Sequence, residues 1–156
     1  MNKLNATESL RSYWLVAAAV VLIAPGASMI FSGFLEGMDV TSLTKAVADQ
    51  YVVKKGNLLI TSALGLLPLL LLTLVMWVVG KFVRSVHYRR SMFFGGVTAI
   101  VLIIVWANTT HWRSYLPDKQ FLSWPHGIEL VIGPLIFAPI AMLLGVLAGW
   151  LTSRYF

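Results

Sequence analysis

The sequence predicts an all-α membrane protein in which four transmembrane helices form one bundle. Hydrophobic residues make up 58% of the 156 residues and charged residues only 12%, against about 25% charged residues in an ordinary soluble domain. The apolar residues also come in long runs instead of alternating with polar ones. These two observations exclude an ordinary soluble domain and predict a single integral membrane domain over residues 1–156.

Four stretches are long and apolar enough to be the spans. Crossing the hydrocarbon core takes about 20 residues at the rise of an α-helix. Peptide groups in lipid must find their hydrogen-bond partners within the segment, so each stretch is predicted to be helical. The predicted spans are 12–35, 56–80, 91–110 and 129–153.

The positive residues predict the orientation. With the amino terminus inside, seven Lys and Arg residues lie in inner segments and five in outer ones, and such an excess marks the cytoplasmic side. Both termini are therefore predicted to be cytoplasmic. The densest inner segment is expected to contact anionic lipid headgroups or an acidic partner. Its cations are Lys81, Arg84, Arg89 and Arg90.

The first outer loop, residues 36–55, is predicted to contain a short helix on the outer membrane surface. Asp39 or Thr41 can cap its amino-terminal end. Its apolar residues share one side, as in helices that lie at a membrane interface. They are Val40, Leu43, Val47 and Tyr51.

Small residues recur on the first and fourth spans at spacings that let helix backbones approach closely. One interpretation is packing among this chain's own helices, and the other is a docking face for a second copy or another membrane protein. The residues are Ser28, Ser32, Gly33 and Gly37 on the first span, and Ala141, Gly145 and Gly149 on the fourth.

Polar residues cluster at the predicted outer ends of the spans. In a compact bundle they could converge at one mouth, where imidazole and carboxylate groups bind a divalent metal or relay protons. Glu129 is the member most expected to be buried. The alternative is that these groups simply meet water at the helix ends. The set comprises Glu36, Asp39, Asn57, Asn108, His111, His126 and Glu129.

The sequence offers little to an enzyme. It has no cysteine, which excludes disulfides, thiolate metal sites and a Cys nucleophile. It contains none of the common nucleotide-binding or hydrolase motifs. The charge-free runs place no ionisable residue deep in a span, where an intramembrane enzyme needs one. We expect no catalytic residues, no bound metal or cofactor, and no nucleic-acid partner.

The function favoured by these features is a non-enzymatic accessory, regulatory or immunity-type subunit that works through helix contacts with itself or another membrane protein. A second hypothesis is a small oligomeric channel or carrier whose mouth is formed by the outer acidic and histidine residues. Prolines inside spans can also open a substrate or ion site at membrane depth. A third is an outer-face metal-binding or catalytic protein that uses the polar cluster. The short chain and its Lys and Arg bias favour a bacterial inner membrane.

Overall fold

All regular secondary structure in the described part of the chain is helical. The computed structural model describes residues 3–52, 57–113 and 128–155, without the side chains of residues 3–12, 57 and 113. Its helices, in chain order, are α1 (Lys3–Leu35), α2 (Val40–Val52), α3 (Asn57–Phe82), α4 (Val86–Arg113), α5 (Glu129–Ile132), a π-helical segment (Gly133–Phe137) and α6 (Ala138–Tyr155).

The described residues contain four helices that are long and apolar enough to cross a membrane. These candidate spans are Tyr13–Leu35, Leu58–Phe82, Val86–Trp112 and Glu129–Tyr155. The prediction of an all-helical chain with four spans is thereby confirmed, and the protein is a multi-pass integral membrane protein.

The basic segment between the second and third spans is mostly helical. Residues 83–85 are its non-helical part, while Lys81 lies in the last turn of α3 and Arg89 and Arg90 lie in α4. A run of charges shows where the apolar stretch ends, but the backbone hydrogen bonds continue past that point. The helices are therefore longer than the charge-free runs that predicted them.

The closest helix packing joins α4 to α6. A Cβ placed on Gly145 would lie 2.3 Å from the carbonyl oxygen of Gly95, and one on Gly149 would lie 2.3 Å from that of Ser91. The Ser91 hydroxyl also donates a hydrogen bond of 2.7 Å to the Gly149 carbonyl. Backbone meets backbone here, so the glycines of the fourth span serve contacts inside this chain.

The apolar core lies where α1 and α3 meet the α4–α6 pair. Val21, Leu72, Ile104 and Met142 have no exposed surface, and each comes from a different span. Gly65 on α3 leaves room for the side chains of Val21 and Ile104, which would lie 3.0 Å from a Cβ at that position. One core therefore holds all four spans together.

Helix α1 ends at a glycine turn, after which α2 folds back along it. Gly37 has a φ of +79°, and the Met38 amide donates to the Gly33 carbonyl, as in a Schellman C-cap. No atom lies within 4 Å of a Cβ built on Gly37. Gly37 thus ends the helix, and no described residue of this chain packs against it, so its role in packing with another chain stays a prediction.

The short helix predicted after the first span is present as α2, and it packs against α1. The Leu43 side chain fills the space that a side chain at Gly33 would need. At the other end of α2, the Tyr51 hydroxyl lies 3.4 Å from the Leu22 carbonyl, which it can reach as a donor. Later residues of α2 contact earlier residues of α1, so the two helices form an antiparallel hairpin. The placement of α2 at a membrane surface stays a prediction.

Asp39 caps α2. The Ser42 hydroxyl and amide both donate to its carboxylate, the amide at 3.0 Å. The Ser42 side chain, followed by its backbone N–H, holds the pKa of Asp39 below its ordinary value. Asp39 is exposed, and its carboxylate is committed to the start of this helix.

The serines of the first span bond to their own helix. Ser28 donates to the Ala24 carbonyl and Ser32 to the Ser28 carbonyl, each at 2.7 Å. Both are buried. Ser62 on α3 instead donates to the Leu22 carbonyl of α1 at 3.0 Å, which joins the first two spans by a side-chain hydrogen bond.

Candidate functional site

A buried histidine and a buried glutamate meet at one end of the bundle. The Nδ1 atom of His111, near the end of α4, lies 2.9 Å from the Oε1 atom of Glu129, the first residue of α5. Their side chains are 6% and 1% exposed. His111 is the second-last residue of one candidate span and Glu129 the first residue of the next, and ionisable groups buried at such positions are often functional.

The hydrogen bond between them can form with the proton on either partner. A protonated Nδ1 donates to the carboxylate, and a protonated carboxyl group donates to Nδ1. The proton can therefore pass from one residue to the other with little movement of heavy atoms. Two groups that can both only accept, or both only donate, could not share a proton in this way.

Two further acceptor atoms near this pair have no hydrogen-bond partner among the described residues. They are the second carboxyl oxygen of Glu129, Oε2, and the side-chain oxygen of Asn108. Asn108 is 1% exposed, and its amide nitrogen donates 2.9 Å to the Ile104 carbonyl. That bond fixes the orientation of the Asn108 side-chain amide, because only its nitrogen can donate to a carbonyl oxygen. A buried acceptor without a donor costs about 1–3 kcal/mol.

Asn108 and His111 share one face of α4 because they are three residues apart. Glu129 reaches that face because Gly133, about one turn further along the fourth span, lets this span approach α4 closely. A Cβ on Gly133 would lie 2.8 Å from the Cβ of Ala107. The glycine contact thus positions the carboxylate against the imidazole.

The fourth span changes its helix type directly after this contact. Residues 133–137 are π-helical, and the Ala138 amide donates to the Gly133 carbonyl five residues back. Pro134 and Pro139, which lack the amide hydrogen, lie at the start and just beyond the end of this segment. Such π-helical turns occur frequently at functional sites.

An aromatic ring covers part of the site. The Trp112 ring packs edge-on against the His111 ring with centroids 5.0 Å apart, and Trp112 is 7% exposed. The indole therefore shields one side of the imidazole.

The structure brings together two members of the predicted polar cluster, His111 and Glu129, and a third, Asn108, is buried one turn before His111 on α4. Glu129 is 2% exposed, in agreement with its being singled out as the buried member. Asp39 is instead bonded to Ser42, and Glu36 is half-buried just beyond α1. His126 and the side chain of Asn57 lie outside the described part of the chain.

No group of three or more His, Cys, Asp and Glu residues that could hold a metal ion occurs among the described residues. Within that part of the chain, the pair supplies one imidazole and one carboxylate. The hypothesis of an outer-face metal site includes His126, which lies outside the described residues, and is therefore not tested by the structure.

The third predicted span ended at residue 110, one residue before His111, whereas the fourth already began at Glu129. In the structure the candidate spans run to Trp112 and begin at Glu129. The sequence contained one indication of this pair. Glu129 stands at the start of one apolar run, and His111 stands at the end of the preceding run.

Comparison with known proteins finds no matching family model, no similar curated protein and no similar solved structure.

Proposed function

We propose that this membrane protein is a small carrier or channel that takes up a cation, the proton included, at the His111–Glu129 pair. The observation that carries the proposal is the buried Oε2 atom of Glu129, which has no donor among the described residues. A bound metal cation would coordinate this atom and neutralise the carboxylate, and a bound proton would neutralise it. Ionisable residues inside spans commonly mark ion pathways and proton relays.

The shape of the fourth span supports the same function. Pro134 and Pro139 lack the amides that would bond to preceding carbonyls. The π-helical segment between them begins four residues after Glu129. In transporters, interrupted helices beside a polar site supply backbone carbonyls to the bound ion. Here the interruption and the carboxylate belong to the same helix.

The test is flux into proteoliposomes that contain the purified chain. Proton entry is followed with an enclosed pH-sensitive dye, and sodium or potassium entry with ion-selective dyes, each driven by its own gradient. We expect flux of at least one of these cations above that of protein-free liposomes. Equal rates in both preparations for all three cations would refute a carrier or channel function.

A second candidate function is the accessory, regulatory or immunity-type subunit predicted from the sequence. It is favoured by an apolar groove between α1 and α2, whose floor includes Gly26 and Ala27 and whose rim includes Val47 and Tyr51. Small residues in a lipid-facing groove suit the close approach of another helix. The proposed occupant is a transmembrane helix of another membrane protein.

Photo-cross-linking in native membranes tests this second function. A photoreactive residue at Ala27, exposed on α1 and lining the groove, should give one cross-linked protein product. The same residue at Ala148, exposed on α6 away from the groove, should give none. A product with twice the chain's mass would instead indicate a homo-oligomer, and no product at Ala27 would contradict a helix in the groove.

We also propose that the protein resides in a bacterial inner membrane with both termini in the cytoplasm, and that it performs no catalysis. The orientation is supported by the excess of Lys and Arg in the segments that it places on the cytoplasmic side. Cysteines introduced at Arg84 and at Lys119 test the orientation in intact cells with a membrane-impermeant thiol reagent. Labelling is expected at position 119 and not at position 84. The reverse pattern would invert the proposed topology.

A further inference from the structure

An amphipathic cleft lies between α1, α3 and α4 at the basic end of the bundle, opposite to the His111–Glu129 pair. It is lined by Trp14, Thr73, Met76, Trp77, Arg89 and Phe93. Its volume is about 210 Å³, below the range of about 300–1,000 Å³ for pockets that enclose drug-sized ligands. A ligand that fits the cleft must therefore be small or leave most of its bulk outside.

Arg89 gives the cleft its charge. The Nε atom of Arg89 is buried and has no hydrogen-bond partner among the described residues, although a guanidinium is charged at every physiological pH. Its Nη1 atom lies 3.8 Å from the position a Cβ on Gly80 would take, so the group is held between α3 and α4. A buried guanidinium N–H without an acceptor is unfavourable, and an anion in the cleft would supply the acceptor.

The described acidic side chains do not supply this anion. All four of them, Glu36, Asp39, Asp49 and Glu129, belong to the opposite end of the bundle. Five of the six described Lys and Arg side chains, by contrast, belong to the cleft's end of the bundle, and Lys45 on α2 is the exception. The five are Lys81, Arg84, Arg89, Arg90 and Arg154. The described side chains therefore offer Arg89 no acidic partner, and its acceptor must come from elsewhere.

The walls of the cleft fit a lipid. Trp77 is 64% exposed, and the Lys81 ammonium lies 3.6 Å above its ring. Trp14 packs edge-on against Phe93 at 4.6 Å on the other side. Indole rings and cations at the same level are typical of the boundary between headgroups and acyl chains. Met76 and Thr73 continue the cleft along α3 toward the apolar middle of the span.

We propose that this cleft is a specific site for one anionic phospholipid. The headgroup phosphate accepts hydrogen bonds from Arg89, the indoles of Trp14 and Trp77 flank the glycerol region, and the acyl chains leave along the lipid-facing surface of α3. Planar guanidinium groups bind phosphate oxygens in a bidentate manner. Basic pockets between transmembrane helices are a recognised way to hold anionic headgroups.

Native mass spectrometry of the full chain in detergent tests the site, with phosphatidylglycerol and phosphatidylcholine of identical acyl chains as probes. We expect one retained phosphatidylglycerol, bound about tenfold more strongly than phosphatidylcholine. Arg89→Gln should abolish this preference. Arg84→Gln removes an exposed cation from the same segment and should keep it. Inorganic phosphate at the same concentration should not be retained, because it lacks the acyl chains.

Arg89→Lys keeps the charge and guards against a folding defect in the glutamine variant. It is expected to weaken phosphatidylglycerol binding several-fold, because an ammonium cannot form the planar bidentate contact. Equal retention by Arg89→Gln and the wild type would overturn the proposal. An equal loss in Arg84→Gln and Arg89→Gln would also overturn it, since that result indicates diffuse attraction by the whole basic end.

Discussion

Replacing Gly145 with leucine is expected to break the packing of α4 against α6 and to destabilise the bundle by about 3 kcal/mol, the upper end of the usual cost of overpacking. The first added carbon would lie 2.3 Å from the Gly95 carbonyl oxygen and 2.8 Å from the Cβ of Ala99. The Gly95 oxygen is a backbone atom, so no side-chain rotation can make room. The two helices would have to separate and lose their burial together with the bond from Ser91 to Gly149.

The measurement is unfolding by increasing sodium dodecyl sulfate in mixed micelles, followed by tryptophan fluorescence. Ala148→Leu is the matched control, because it adds a side chain of the same kind to the same helix at a position exposed to lipid. We expect the control to unfold with the wild type and Gly145→Leu to unfold at a clearly lower detergent fraction. Coincident transitions for the two variants would show that α6 does not pack on α4 through this glycine.

Replacing Glu129 with glutamine is expected to reduce cation flux in proteoliposomes at least about tenfold. Glutamine keeps the volume of the side chain and can still hydrogen-bond to His111, but it carries no negative charge. A hydrogen bond to a charged group contributes about 1.5–3 kcal/mol, and each 1.4 kcal/mol corresponds to a factor of ten. The loss should therefore appear in flux while the fold is preserved.

Asp49→Asn provides the control for this variant, since Asp49 is an exposed acid on α2 and takes no part in the buried pair. Its flux should equal that of the wild type. His111→Gln distinguishes the two kinds of cation, because it removes a group that can carry a proton but leaves the Glu129 carboxylate. Proton flux should then fall more than sodium flux. Undiminished flux of every cation in Glu129→Gln would remove the pair from the pathway.

The glycines of the fourth span bear on the choice between the two proposed functions. Their spacing on the sequence suits either internal packing or a docking face. Gly145 and Gly149 meet α4 of the same chain, so this part of the surface is already occupied. The support for an external partner then comes from the α1–α2 groove, while the buried pair gives stronger support to a carrier or channel.

The sequence by itself determined the four helices. Long apolar runs in lipid must satisfy their peptide groups locally, so composition alone predicts both the number and the type of the spans. It also identified Glu129 as the acid most expected to be buried, because Glu129 opens an apolar run. The sequence did not determine where the helices end, because charged residues such as Arg89 continue a helix as readily as they end one.

Only the tertiary structure decided which of these residues meet. His111 and Glu129 are 18 positions apart, and their contact depends on the close approach of Gly133 to Ala107, which no local pattern encodes. Gly33 and Gly37 look alike on the sequence, yet one packs against Leu43 and the other ends α1 with a positive φ. Local hydrophobicity sets where a chain enters the membrane, whereas pairing between helices depends on the shapes of surfaces that are distant in the sequence.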